Sequence, residues 1–124
     1  MGKYYYHPMG ENALKSHIFT YPGGHEDGGK LDINYTDSSI EGEPFYAIAD
    51  GEIVFCGAWS DGTIAIVQKC TDSKLGKTFY IRYLHGKNNS SLLGQNVSKG
   101  TQLGTVSNNE GSYPSHLHID FSTV

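Results

Sequence analysis

Polar and apolar positions alternate along this chain in short runs. The clearest run is Ser115-His116-Leu117-His118-Ile119-Asp120-Phe121. Strict alternation is the signature of a strand, in which residues i and i+2 point to one face. The run therefore predicts His116, His118 and Asp120 on one face and Leu117, Ile119 and Phe121 on the other. Leu31-Asp32-Ile33, Pro44–Ala49, Glu52–Cys56, Thr63–Val67 and Lys77–Leu84 read as further strands, and Val97–Val106 as a turn plus a strand. Asp50-Gly51 and Asp61-Gly62 read as tight turns between them. If Asp61-Gly62 is a two-residue hairpin turn, Ser60 pairs with Thr63 and Cys56 with Val67. Residues 1–24 are aromatic and irregular, with turn signals at His7-Pro8, Met9-Gly10 and Tyr21-Pro22-Gly23-Gly24 and room for a short helical turn over Glu11–His17. Strand after strand with short turns predicts a mainly β, antiparallel domain.

At 124 residues the chain is long enough for one core, and residues 1–124 are expected to form a single domain. Sixteen glycines and nine tyrosines fit a turn-rich β fold. Nine basic residues against thirteen acidic ones give a net charge of −4, which argues against a nucleic-acid footprint and against electrostatic capture by anionic surfaces. No apolar stretch approaches the ~20 residues a membrane-spanning helix needs. Residues 1–8 carry no apolar signal-peptide core, and Tyr6 stands where a lipidation motif beginning at Met1-Gly2 would have Ser or Thr. In the expected hairpin register Cys56 and Cys70 lie roughly 10 Å apart, beyond disulfide reach, so both are expected as free thiols. The sequons at Asn34, Asn88, Asn89 and Asn96 are read as chance matches.

Chemistry concentrates in three places: His25 with Asp32, His85, and His116 with His118. His116 and His118 would sit roughly 6.5–7 Å apart along the strand, so that one could hold a metal while the other faces what the metal binds. The plain alternative is a solvent-facing polar edge over a buried apolar face. Hydrolytic zinc sites use three His, Asp or Glu ligands and leave a fourth position for water. A neighbouring imidazole can then move a proton or stabilise an oxyanion. Asp32, flanked by Leu31 and Ile33, is a carboxylate that needs a cation or donors if buried.

The order of these segments resembles the lysostaphin-type, LytM-like M23 metallopeptidases, which cut peptide bonds in peptidoglycan cross-bridges or stem peptides. The residues that carry the resemblance are Leu31-Asp32-Ile33, Gly42–Ile53, Tyr83-Leu84-His85, Gly94–Gly104 and His116-Leu117-His118-Ile119-Asp120. It covers roughly residues 20–121. The resemblance implies an antiparallel sheet with one Zn2+ in a groove along it, held by His25, Asp32 and His118, with His85 and His116 as catalytic histidines. It divides the chain into a lead-in over residues 1–20 and a catalytic core over 21–124.

The chain departs from the family's commoner pattern in one place. There the first His lies four positions before the Asp; here that position is Gly28, and His25 lies seven before Asp32. The Gly28-Gly29 pair could let the loop bulge and return His25 to the metal, and His17 is the substitute if it does not. Asp120 stands where Glu is commoner, a change expected to carry little mechanistic weight. His7 and His17 receive no other role; Tyr46, Tyr80 and Tyr83 are expected to pack, and Glu26 and Asp27 to be solvated.

The expected function is zinc-dependent endopeptidase action on peptidoglycan peptides. The rival is a LytM-like domain without activity, used as a binding or regulatory module. A metal-free carbohydrate-binding β module would leave the clustered His and Asp unexplained. No nucleic-acid partner and no membrane insertion are expected. Other domains or subunits of a parent protein are expected, with a phage tail or another extracellular, cell-wall setting as the location, on the long first-motif spacing, the missing signal and the free cysteines.

Overall fold

In the computed structural model, residues 6–10, 16–19, 30–35, 40–58, 64–72, 76–86, 92–107 and 117–122 are described. They form nine strands: β1 (Ser16–Phe19), β2 (Lys30–Tyr35), β3 (Pro44–Tyr46), β4 (Gly51–Ala58), β5 (Ile64–Asp72), β6 (Lys77–Leu84), β7 (Asn96–Val97), β8 (Gln102–Thr105) and β9 (Leu117–Ser122). Seven make one sheet in the order β1-β2-β9-β6-β5-β4-β7, and β3 pairs with β8 in a second. Every pairing is antiparallel, and there is no α-helix among the described residues.

The core lies between the two sheets. Ile33, Ile53, Ile66, Ile81, Tyr83, Leu117 and Ile119 come from the large sheet, and Phe45 and Leu103 from the small one. Phe45 stacks on Tyr83 with ring centroids 6.0 Å apart, joining the layers. Two buried polar side chains sit among these apolar ones and satisfy each other. Tyr83 accepts a hydrogen bond from the Ile48 amide at 2.9 Å and donates to Gln68 Oε1 at 2.9 Å, while Gln68 Nε2 donates to the Ala49 carbonyl at 2.7 Å. Buried polar groups are tolerated when paired in this way.

Three expectations needed revision. First, the N-terminal segment is not merely an irregular lead-in. Ser16–Phe19 pairs with β2, Met9 is fully buried, and the Tyr6 amide donates to the Ile48 carbonyl at 2.7 Å. His17 therefore lies in a strand rather than a helical turn; Glu11–Lys15 fall outside the described residues. Second, Asp50-Gly51 is a corner and not a hairpin turn. β3 leaves the small sheet before it, and β4 enters the large one after it. Gly51 is required there, because a side chain would run into the Lys69 carbonyl oxygen on β5. The Asp50 side chain accepts from the Lys99 amide at 2.8 Å and ties the corner down.

Third, β4 and β5 pair one residue away from the expected register: Cys56 faces Ile66, not Val67. The offset is already present at Ala58↔Ile64, and a bulge between Ile53 and Phe55 adds one more residue beyond it. It keeps Ile53 opposite Gln68 on the core face, with Phe55 opposite Val67 on the other. A one-residue slip would exchange the faces. The expected turn residues, Asp61 and Gly62, lie outside the described residues. Both cysteines are free thiols, with Cys70 buried and Cys56 partly so.

Candidate active site

β9 is a central strand, flanked by β2 and β6. Its apolar positions do what alternation predicts: Leu117 and Ile119 are fully buried in the core, although Phe121, near the strand end, is exposed. Its polar positions differ from the plain alternative of a solvent-facing edge. His118 and Asp120 are both buried. They share the sheet face opposite the core with Ala65 and Leu84, which are buried outside the main core cluster.

The register then decides which residues meet. On one side of β9, Asp32 of β2 is directly opposed to His118. On the other, Leu84 of β6 is opposed to His118, so the chain leaves β6 at His85 beside it. Directly opposed positions of an antiparallel pair belong to one face, with Cβ atoms about 4.5–5.5 Å apart. The ring centroids of His85 and His118 are 6.1 Å apart, with ring planes at 88°.

His85 is held in an uncommon backbone conformation, with φ of 71°, the one non-glycine residue with positive φ among those described. For an L-residue this region costs about 1–2 kcal/mol. Three contacts hold it there: its amide donates to the Ile64 carbonyl at 3.1 Å, and its carbonyl accepts from the Ser107 amide at 2.8 Å and the Ser107 hydroxyl at 2.9 Å. The next residue must be glycine, because a Cβ on Gly86 would come within 2.8 Å of the Phe45 ring. Backbone strain of this kind persists only where the surroundings impose it, and it concentrates at functional positions.

His118 has a carboxylate partner on its own strand. Its Nε2 lies 3.2 Å from Asp120 Oδ2, and the other oxygen of Asp120 accepts from Arg82 Nε at 2.6 Å. Asp120 thus lies beside His118 and links it to Arg82. Arg82 and Ser107 were missed. Arg82 carries a signal, a lone charge between Ile81 and Tyr83, but its partner emerges only from the β6–β9 register. Ser107 is visible only once the chain folds back so that Gly86 bridges Val106.

Of the five expected site residues, His85 and His118 are brought together, and the strand position of Asp32 lies opposite His118. His25 and His116 lie outside the described residues, as do Glu26 and Asp27. His17 is at a strand position on β1, two residues from the Phe19–Asp32 pair and thus diagonal to Asp32. Among the described residues no group of three His, Cys, Asp or Glu is gathered for a metal. The donor types nevertheless fit zinc: an imidazole and a carboxylate position directly opposed, with a second imidazole alongside.

A family model, peptidase family M23, matches residues 32–123. The chain belongs to peptidase family M23. The matched span begins at Asp32, so that His25 precedes it, and includes His85, His116 and His118. Two solved structures share the fold. A zinc-containing peptidase from Vibrio cholerae superposes with a TM-score of 0.69 at 18% identity, over 97% of this chain and 37% of that one. Lysostaphin superposes with a TM-score of 0.63 at 22% identity, over 93% of this chain and 46% of its own. This M23 chain thus spans less than half the length of either. A comparison by sequence with curated proteins found no match.

Proposed function

We propose that this M23 domain is a zinc-dependent endopeptidase that hydrolyses peptide bonds in peptidoglycan cross-bridges or stem peptides. His25, Asp32 and His118 would hold the metal. Bound zinc would supply Lewis acidity, polarising a carbonyl and making water a competent nucleophile near neutral pH. His85 and His116 would supply the proton transfers, one taking a proton from the attacking water and the other delivering one to the leaving amine. The strained, thrice-anchored backbone of His85 suits such a role, since it limits the positions the ring can adopt.

The observation that carries this proposal is the pairing of β9. It sets His118 opposite Asp32 on one side and beside His85 on the other. Membership of family M23 supports the peptidase chemistry, and the zinc named in the Vibrio cholerae structure and the likeness to lysostaphin support the metal and the substrate class.

The test is zinc stoichiometry of the full chain together with release of new amino termini from purified peptidoglycan. One zinc and peptide cleavage in the wild type, with zinc lost in His118→Ala and in His25→Ala, is the expected result. Zinc lost in His17→Ala but retained in His25→Ala would move the third ligand to β1. A wild type that folds but binds no added zinc and cleaves nothing would overturn the enzyme and leave the binding module.

A further inference from the structure

One row of side chains beside His118 does work that the proposed proton transfers do not use. Arg82 and Asp120 are directly opposed across β6 and β9. Arg82 Nε donates to Asp120 Oδ1 at 2.6 Å, and Asp120 Oδ2 lies 3.2 Å from His118 Nε2. The two oxygens of one carboxylate are therefore divided between a guanidinium and an imidazole. The Asp120 side chain is 7% exposed and that of His118 10%, while a third of Arg82 reaches solvent. Burying a carboxylate is costly unless it is paired and hydrogen-bonded, and Arg82 supplies both the charge and a donor.

The hydrogen bond to His118 has a direction. An ionised carboxylate can only accept, so the proton of a neutral His118 must sit on Nε2. The lone pair is then on Nδ1. In metal sites the nitrogen that does not ligate commonly donates to a carboxylate, which fixes the tautomer and the ring orientation. The same strand supplies both groups here, because residues 118 and 120 point to one face of β9. We propose that Asp120, anchored by Arg82, is a positioning residue: it holds His118 in the Nε2–H tautomer with a fixed ring orientation, so that Nδ1 is the nitrogen presented to the metal. This deepens the zinc proposal and rests on it for the metal, but the tautomer is a property of the metal-free chain.

The decisive measurement needs no metal. Long-range proton–nitrogen correlation spectra of the full chain with labelled histidines, recorded metal-free near pH 8, report which ring nitrogen of His118 is protonated. The Nε2–H tautomer in the wild type is expected, with a mixture of tautomers in Asp120→Asn and Arg82→Gln. Wild-type His118 protonated on Nδ1 would overturn the proposal, whether or not any variant folds. The second readout is zinc affinity by chelator competition. Asp120→Asn should weaken it by about 10–100-fold, Asp120→Glu should recover most of the loss, and Arg82→Gln should fall between. Unchanged affinity in a folded Asp120→Asn would also overturn the proposal. A wild type without zinc affinity would end the zinc reading alone, since the tautomer would still decide the role of Asp120.

Discussion

Ser107 holds the carbonyl of His85 twice, through its backbone amide at 2.8 Å and its hydroxyl at 2.9 Å. The clamp keeps a catalytic candidate in a left-handed conformation that its own backbone resists. Removing the hydroxyl in Ser107→Ala should cost about 0.5–1.5 kcal/mol of stability, the usual net worth of one hydrogen bond. If the clamp also sets the imidazole, kcat should fall further than that loss explains. Urea denaturation beside hydrolysis rates on a peptidoglycan peptide would compare the two. A fall in stability with unchanged kcat would reduce the clamp to a structural role.

The strain itself predicts an opposite pair of effects at His85. Asn is among the few residues besides Gly that visit the left-handed region, because its short side chain hydrogen-bonds locally. His85→Asn should therefore leave the melting temperature unchanged or slightly raised, while peptide hydrolysis falls by about 10²–10⁴-fold, the usual worth of general acid–base catalysis. Gly86→Ala should behave differently, because the new methyl meets the Phe45 ring. Overpacking of that kind costs about 1–3 kcal/mol and should lower the melting temperature.

Tyr83 and Gln68 offer a test of the core. Tyr83→Phe leaves the Ile48 amide and Gln68 Oε1 without their present partner. The expected cost is about 1–3 kcal/mol, the penalty for orphaned buried polar groups. The two positions share one network, so Tyr83→Phe combined with Gln68→Leu should destabilise by less than the sum of the single changes. Denaturant midpoints of the three variants decide this, and strict additivity would contradict the network.

Much of this architecture could be read from the chain, and the unread parts have a common cause. Alternation in Leu117–Asp120 fixes which residues share a face, and the order of Leu31–Ile33, Gly42–Ile53, Tyr83–His85, Gly94–Gly104 and His116–Asp120 carries the family resemblance. Pairing between strands distant in sequence leaves no local trace. Nothing near Asp32 announces that it faces His118, and nothing near Arg82 announces Asp120. The β4–β5 register differs from the two-residue hairpin already at Ala58↔Ile64, the described pair nearest the turn. The bulge at Ile53–Phe55 adds a second shift further along, which keeps Ile53 on the core face. The N-terminal strand was missed because Ser16–Phe19 is short, and its membership of the sheet depends on β2.

Alkaline pH should expose two buried acids. Burial, and to a lesser degree the nearby Asp50 carboxylate, pushes the Cys70 thiol up to about 12. Burial also raises Tyr83, against the lowering effect of the Ile48 amide bond and with a smaller raising effect from Cys70. Both groups hold their protons more tightly when folded than when unfolded. Their contribution to stability is complete below the unfolded values, about 8.5 for Cys and 10 for Tyr, and is lost as pH rises from there towards the folded values. Stability should thus decline from about pH 9 upward, by at most about 1.4 kcal/mol per pH unit for each group. Urea midpoints between pH 7.5 and 10.5 would show it, and Cys70→Ala should flatten the first part of the decline. At pH 8 the native Cys70 thiol should resist thiol reagents that react with it in urea.

Metal removal separates the residues proposed to hold zinc from those proposed to move protons. A ligand bound only by the folded state stabilises it by RT ln(1 + [L]/Kd), about 2.7 kcal/mol at a hundredfold excess over Kd. Chelation should therefore lower the melting temperature of the wild type, and restored zinc should raise it again. His118→Ala should lose that response along with bound zinc, since it removes a proposed ligand. His85→Asn should keep both the bound zinc and the chelator-sensitive melting temperature while losing hydrolysis. The contrast is informative because the two rings are neighbours, 6.1 Å apart between centroids. Loss of zinc in His85→Asn would make His85 a ligand, and the division of labour at the site would have to be redrawn around it.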